Sequence, residues 1–239
     1  MEGELMVCAA VLAGGSGLRM GGDLPKQFLC IGGRPVIIRS IDAFISSGLV
    51  DRIVVAVSAD YIDYTKSLIA KFLPKCEIDV ICGGKNRNET LYNVLKMLKE
   101  SGIGADDVIL THDAVRPFID SRIIADNIEA VRRYGACNTV VPAVDTLVNS
   151  TDGRFINSIP VRSEFYHGQT PQSFNIATLL ELYGNMTEEQ FECFTDACSV
   201  FVSAGKKVFL VEGDRNNIKL TYPEDMEKAE NIIKNKENG

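Results

Sequence analysis

The 239-residue chain has no basic excess: 25 Lys and Arg stand against 32 Asp and Glu, a formal net charge of −7. Surfaces that answer a nucleic-acid backbone carry the opposite balance, so nucleic-acid binding is set aside as its main business. Any phosphate it takes is held in a local pocket. Histidine is scarce, with two residues, and the seven cysteines (Cys8, Cys30, Cys76, Cys82, Cys137, Cys193 and Cys198) include no Cys-x-x-Cys pair. That excludes the common thiolate and imidazole metal motifs and reads as reduced thiols of a cytoplasmic protein. The apolar start, Leu5 to Ala13, is too short to span a bilayer and lacks the basic flank and cleavage pattern of a signal peptide, so no membrane is expected. No repeat, low-complexity tract or linker divides the chain, and one domain over residues 1–239 is the reading.

What is present is the composition of a globular protein, 46% apolar and 24% charged. Leu5 to Leu12 is an unbroken apolar run that enters a glycine-rich turn, the mark of a strand buried on both faces. Helical spacing follows Pro35 (Ile37, Ile41, Phe44), and strands are predicted over 53–57, 78–81, 108–111 and 139–144. Between them lie helical stretches over 61–72, around Leu91, Val94, Leu95 and Leu98, and over 123–134. This alternation predicts an α/β fold with a mainly parallel sheet and helices on both faces. The pattern breaks over 145–168, where Asn149-Ser150-Thr151-Asp152-Gly153 looks like a hairpin turn, so a projecting β-arm is predicted there. A helix over 175–183, a loop and helix around 187–204, a strand over 207–211 and a closing helix after Pro223 complete the chain.

Ala13-Gly14-Gly15-Ser16-Gly17 lets backbone N–H groups approach a phosphate, and the helix expected after it adds a positive dipole end. No Gly-Lys-Ser/Thr closes the turn, and the third glycine of a dinucleotide fingerprint is missing. Two cations follow, Arg19 and, within Pro25-Lys26-Gln27-Phe28, Lys26. Singly they read as solvated surface charges. Together with the turn they supply the fixed positive charge that phosphoryl transfer requires.

The string from Leu12 to Met20, followed by Pro25 to Phe28, resembles the nucleotidyltransferases that activate sugar and polyol phosphates, and within them the polyol-phosphate cytidylyltransferases. The resemblance continues along essentially the whole chain and implies a single Rossmann-like nucleotidyltransferase domain. Gly83-Gly84-Lys85-Asn86-Arg87-Asn88-Glu89-Thr90 is similar to the family's cytosine-reading segment. The backbone amides of Gly84 and Lys85 and the Thr90 hydroxyl are the groups expected on the base, and a helix start capped by Asn86 or Asn88 is compatible with that. The resemblance therefore gives a CTP site of Leu12, Ala13, Gly14, Gly15, Gly17, Gly84, Lys85, Arg87 and Thr90, with Arg19, Lys26 and Lys219 around the α-phosphate as catalytic groups. Lys219 comes from Asn216-Asn217-Ile218-Lys219-Leu220-Thr221, where the methylerythritol branch often has aspartate in place of Asn216.

Thr111-His112-Asp113-Ala114-Val115-Arg116-Pro117-Phe118 sits at the carboxyl end of a predicted strand, where open α/β sheets bind ligands. By resemblance Asp113 serves the acceptor, the Mg²⁺ that accompanies CTP, or both. The plainer alternative on the residues alone, the less favoured one given the surrounding string, is that it caps a turn and pairs with Arg116. His112 has no second ligand near it and reads as structural. Asp113, Arg116, Thr146, Arg162, Thr170 and Thr195 are the acceptor residues the resemblance implies. Thr146 and Arg162, on the arm, would reach a neighbouring subunit's acceptor phosphate through arm exchange in a homodimer, whereas an arm-to-body salt bridge is the plainer use of Arg162.

The implied reaction is in-line attack of an acceptor phosphate oxygen on the α-phosphorus of CTP, with pyrophosphate leaving. Enzymes for methylerythritol 4-phosphate and for ribitol 5-phosphate share this framework. Arg87-Asn88-Glu89-Thr90, Thr111 to Phe118, Gly168-Gln169-Thr170-Pro171-Gln172-Ser173-Phe174 and Thr195-Asp196-Ala197-Cys198 look more like the ribitol branch. That implies supply of CDP-ribitol for teichoic-acid or capsule polymers rather than isoprenoid synthesis. Two rivals are a nucleotide-binding regulatory protein without turnover, disfavoured because Lys26, Lys219 and Asp113 are all present, and a dinucleotide oxidoreductase, disfavoured by the glycine spacing.

Overall fold

The computed structural model of the chain describes residues 5–15, 24–104 and 106–237. Its elements run β1 (Val7–Ala13), β2 (Cys30–Ile31), β3 (Arg34–Pro35), α1 (Val36–Ser47), β4 (Arg52–Val57), α2 (Ile62–Phe72), β5 (Asp79–Cys82), α3 (Arg87–Glu100), β6 (Val108–Asp113) and α4 (Ser121–Tyr134). They continue with β7 (Ala136–Pro142), β8 (Tyr166–Asn175), α5 (Ile176–Gly184), α6 (Glu188–Cys193), α7 (Ala197–Ser203), β9 (Phe209–Glu212) and α8 (Pro223–Glu237).

A seven-stranded sheet has the order β5-β4-β1-β6-β8-β7-β9. Every neighbouring pair is parallel except the two that involve β8, which lies antiparallel between β6 and β7. The uninterrupted apolar character of β1 follows from its central place. Val7, Ala9, Val11 and Ala13 face the core under α1, α2 and α4, while Cys8, Ala10 and Leu12 face the core under α3, α5 and α7. Each fully buried aliphatic side chain contributes roughly 1.5–3 kcal/mol, so both covered faces hold this strand in place. A third, smaller core of Ile31, Val36, Val115, Phe118, Leu220, Ala229 and Ile233 seats α8.

Local chemistry sets the helix ends. Asn86, Asp120, Asn175 and Asp196 each cap a helix by accepting a backbone N–H, and Gly48 and Gly135 close α1 and α4 in the left-handed region. After β1 the chain builds β4 and β5 on one side and then crosses to β6 on the other. Such a change of direction opens a crevice at the carboxyl ends of the strands on either side of it, here β1 and β6.

Two expectations need correction. Tyr166–Gly168 belong to the sheet, paired with Pro142–Val140 of β7, so the arm ends earlier than residue 168. It leaves and rejoins the body at a pinch where Ala143 N–H donates to Phe165 O. The arm is also not a β-ladder: one isolated bridge joins Asn149 to Ser158. The turn beyond that bridge is organised by Asp152, whose carboxylate accepts from the Arg154 and Phe155 N–H groups, so its backbone is satisfied without a partner strand. Among the described residues no helix is long and apolar enough to cross a membrane, and all seven thiols are free. Burial pushes the Cys8 and Cys137 thiols up to about 12.

Candidate active site

A cleft of about 280 Å³ opens at the β1/β6 crevice. Its walls carry Leu12, Ala13, Gly14, Gly15, Lys26, Gly84, Lys85, Arg87, Thr90, Asp113 and Lys219, residues brought together from five separate stretches of chain, with Gln27, Asn86, Ala114 and Val115 beside them. Gly17 and Arg19 lie outside the described residues. Gln27, 3% exposed, donates from Nε2 to Ala13 O at 2.8 Å and Gly15 O at 3.1 Å. It thereby ties the glycine turn to the short helix that holds Lys26, itself buried. Nothing in local pattern marks Gln27, and only its place beside Lys26 hinted at a role.

The segment Gly83–Thr90, expected on the base, is closed on itself by side chains of α3. The Gly84 N–H donates to Thr90 Oγ1 at 2.9 Å and the Lys85 N–H to Glu89 Oε2 at 2.7 Å, so both amides are satisfied within the chain. The Thr90 hydroxyl in turn donates to Asn86 O at 2.7 Å. These bonds fold the loop back over the first turn of α3. Gly84 is required there, because an added Cβ would stand 2.5 Å from Glu89 Cβ and 2.8 Å from its backbone carbonyl carbon.

Asp113 ends β6 as the centre of a cationic cluster. Arg87 donates to its Oδ1, Lys219 Nζ lies 2.9 Å from its Oδ2, and Arg116 Nε stands 3.7 Å from the same oxygen. Burial pushes the carboxyl pKa up, but Arg87, Lys219 and Arg116 together outweigh it and hold Asp113 well below the usual carboxylate range. Three guanidinium or ammonium groups around one carboxylate leave a local excess of positive charge, which suits phosphate oxygens.

The same geometry does not fit the metal role given to Asp113. Both its oxygens already accept from cations, and a dication would sit among like charges. Among the described residues no group of three His, Cys, Asp or Glu side chains stands together as a metal site.

A second pocket of about 240 Å³ lies on the other side of this cluster, lined by Arg87, Asp113, Arg116, Gly168, Gln169, Thr170, Gln172, Thr195, Asp196 and Lys219. Arg116 is fixed by donating to Asn217 O at 2.7 Å, and burial lowers its pKa. The expected acceptor residues Asp113, Arg116, Thr170 and Thr195 meet here. Thr146 and Arg162 line neither pocket; both are exposed on the arm, where Arg162 donates to Val144 O.

Thr170 acts through its neighbours. Its Oγ1 accepts from the Asp113 N–H at 3.1 Å and lies 3.0 Å from His112 Nδ1, while His112 Nε2 lies 2.9 Å from Arg116 O. A carbonyl only accepts, so His112 carries its proton on Nε2 and Nδ1 accepts from Thr170. Burial holds the ring neutral, with its pKa lowered to about 4, consistent with a structural histidine. The chain of bonds from Asp113 through Thr170 and His112 to Arg116 sets the turn that aims the carboxylate.

The sequence profile of the family IspD, 2-C-methyl-D-erythritol 4-phosphate cytidylyltransferase, matches residues 7–235. Among solved structures, the 4-diphosphocytidyl-2C-methyl-D-erythritol synthase of Anaerococcus prevotii is 26% identical with a TM-score of 0.79, covering 96% of each chain. A second 4-diphosphocytidyl-2C-methyl-D-erythritol synthase is 28% identical with a TM-score of 0.78, over 96% of this chain and 99% of that one. The 2-C-methyl-D-erythritol 4-phosphate cytidylyltransferase of Thermus thermophilus is 25% identical with a TM-score of 0.71, over 97% and 99%.

Proposed function

The chain belongs to the IspD family of cytidylyltransferases, and from that premise we propose that it transfers the CMP part of CTP to D-ribitol 5-phosphate, giving CDP-ribitol and pyrophosphate. The observation that carries this is the shared wall: Arg87, Asp113 and Lys219 line both the glycine-loop cleft and the second pocket. A nucleotide α-phosphate and an acceptor phosphate placed on either side meet at that cationic seam.

One acceptor phosphate oxygen forms the new bond to the α-phosphorus, and the bond from that phosphorus to the bridging oxygen of the leaving pyrophosphate breaks in line with it. No proton needs a base, because the phosphate nucleophile is already ionised near neutral pH. Lys26, Lys219 and Arg19 stabilise the charge spread over the equatorial oxygens, and Arg87 and Arg116 orient the acceptor phosphate. A divalent ion carried by the nucleotide would offset part of the triphosphate's charge, and among the described residues no carboxylate cluster is given the task of holding it. Thr146 and Arg162 serve a neighbouring subunit's acceptor pocket through arm exchange in a homodimer.

The choice of ribitol 5-phosphate rests on where the branch-like motifs lie. Arg87, Thr111 to Phe118, Gly168 to Phe174 and Thr195 to Cys198 contribute most of the lining of the second pocket. The alternative acceptor, 2-C-methyl-D-erythritol 4-phosphate, is favoured by the names of the matching family and of the solved relatives. Pyrophosphate release by the purified protein with CTP and Mg²⁺ separates them. Faster release with D-ribitol 5-phosphate than with 2-C-methyl-D-erythritol 4-phosphate is expected; the reverse preference assigns the second acceptor, and silence with both overturns the reading of the pocket.

A further inference from the structure

Residue 88 follows directly on Arg87 in the first turn of α3, yet its side chain points away from the nucleotide cleft into the protein. Asn88 is 1% exposed, and its Nδ2 donates to Phe191 O at 3.1 Å and Phe194 O at 2.6 Å. Its Oδ1 accepts from the Tyr183 hydroxyl at 2.9 Å. Phe191 and Phe194 stand at the carboxyl end of the six-residue helix α6, where helix carbonyls lose their own partners. Asn88 supplies those partners from another element, and the chain then turns directly into Thr195 and Asp196, which line the acceptor pocket.

Asp196 continues the wall. It caps α7 through the Ser199 N–H at 2.8 Å and accepts from Gln172 Nε2 at 2.9 Å, joining that turn to β8. Consecutive residues thus hold opposite sides of one pocket: Arg87 grips Asp113, and Asn88 fixes the Thr195–Asp196 turn. We infer that Asn88 is a positioning residue for acceptor binding, setting the distance between the Thr195–Asp196 wall and the Arg87–Asp113 pair without touching either substrate. This rests on the reading of that pocket as the acceptor site.

The test is Asn88→Ala in the full chain, with both substrates titrated and the thermal shift given by each measured separately. The acceptor KM is expected to rise about tenfold, with the CTP KM within about twofold and the CTP-induced shift retained. Tyr183→Phe, which keeps the ring and both bonds from Asn88 to the carbonyls, is the milder probe and is expected to raise the acceptor KM about threefold. Equal effects on both substrates, or an unchanged acceptor KM in either folded variant, would overturn the inference. Should the wild type neither bind nor turn over a polyol phosphate, it is the functional reading that fails. Amide hydrogen exchange then decides the positioning role: faster exchange over 193–197 but not over 113–118 in the variants supports it, and uniform acceleration or none overturns it.

Discussion

Lys219 Nζ lies 2.9 Å from Asp113 Oδ2, so the loop before the last helix is held against the carboxyl end of a central strand. The lysine side chain is 44% exposed and the carboxylate 8%. A pair so unevenly exposed gives little stability, and Asp113 keeps Arg87 and Arg116 if Lys219 is lost. Lys219→Met is therefore expected to leave the fold within about 1 kcal/mol of the wild type. Losing one preorganised charge at the reacting phosphate should slow turnover by roughly a hundredfold. Paired chemical denaturation and pyrophosphate-release assays check both halves, and a variant that unfolds more than it slows would make Lys219 a structural residue.

The loop over α3 makes a separate prediction for the nucleotide. Gly84→Ala forces a methyl group against Glu89 Cβ and Cγ at 2.5 Å and against a backbone carbon that cannot rotate away. The loop must lift, and the Gly84 N–H then loses the Thr90 hydroxyl. The CTP KM is expected to rise at least about tenfold with little change in the acceptor KM. Titration of each substrate at saturating levels of the other measures this, and unchanged CTP affinity would detach the loop from nucleotide binding.

Much of this arrangement was legible in the sequence, and what was not has a physical cause. The unbroken run of β1 announced a strand covered on both faces, and of the glycine and cation strings Gly14, Gly15 and Lys26 do line one cleft. Strand β8 was not legible, because Gln169-Thr170-Pro171-Gln172-Ser173 reads as a polar loop. Those side chains are buried only because distant residues answer them: Ser173 donates to Asn127, Gln172 to Asp196 and Thr170 to His112. Local periodicity carries no trace of such partners. The internal bonds of the Gly84–Thr90 loop were hidden for a different reason. Its residue types fit a ligand, and the same types let Thr90 and Glu89 accept from the Gly84 and Lys85 N–H groups within the chain.

Acidification should expose the buried imidazole. His112 titrates near pH 4 in the folded chain against 6.5 ordinarily, so between those values the unfolded chain binds more protons. Its contribution to stability is complete above pH 6.5 and is lost as pH falls toward about 4. Between pH 7 and 5 the loss amounts to about 2 kcal/mol. Asp113, also depressed, adds a loss in the same direction that begins lower, because an ordinary aspartate titrates at 3.8. His112→Gln, which can still accept from Thr170 and donate to the Arg116 carbonyl, is expected to flatten the upper part of the stability curve and leave the lower part. Melting temperature followed from pH 7 to pH 4 in both proteins resolves the two; equal slopes above pH 5 would remove His112 as the cause.

The arm exposes Phe155 at 74%, Ile156 and Ile159 at 61% and Val161 at 62%, in a chain whose other large apolar side chains are mostly covered. Clustered apolar side chains of this kind mark an association surface. If arms exchange in a homodimer, each acceptor pocket combines Lys219 of its own chain with Arg162 of the neighbour. Arg162→Ala and Lys219→Met, each slow alone, should then complement when the two proteins are unfolded and refolded together. Random pairing makes half of the dimers mixed, and each mixed dimer has one pocket with both groups intact, so about one quarter of wild-type activity is expected to return. Were Arg162 to serve its own chain's pocket, every mixed pocket would lack one group or the other, and refolding the mixture would restore nothing.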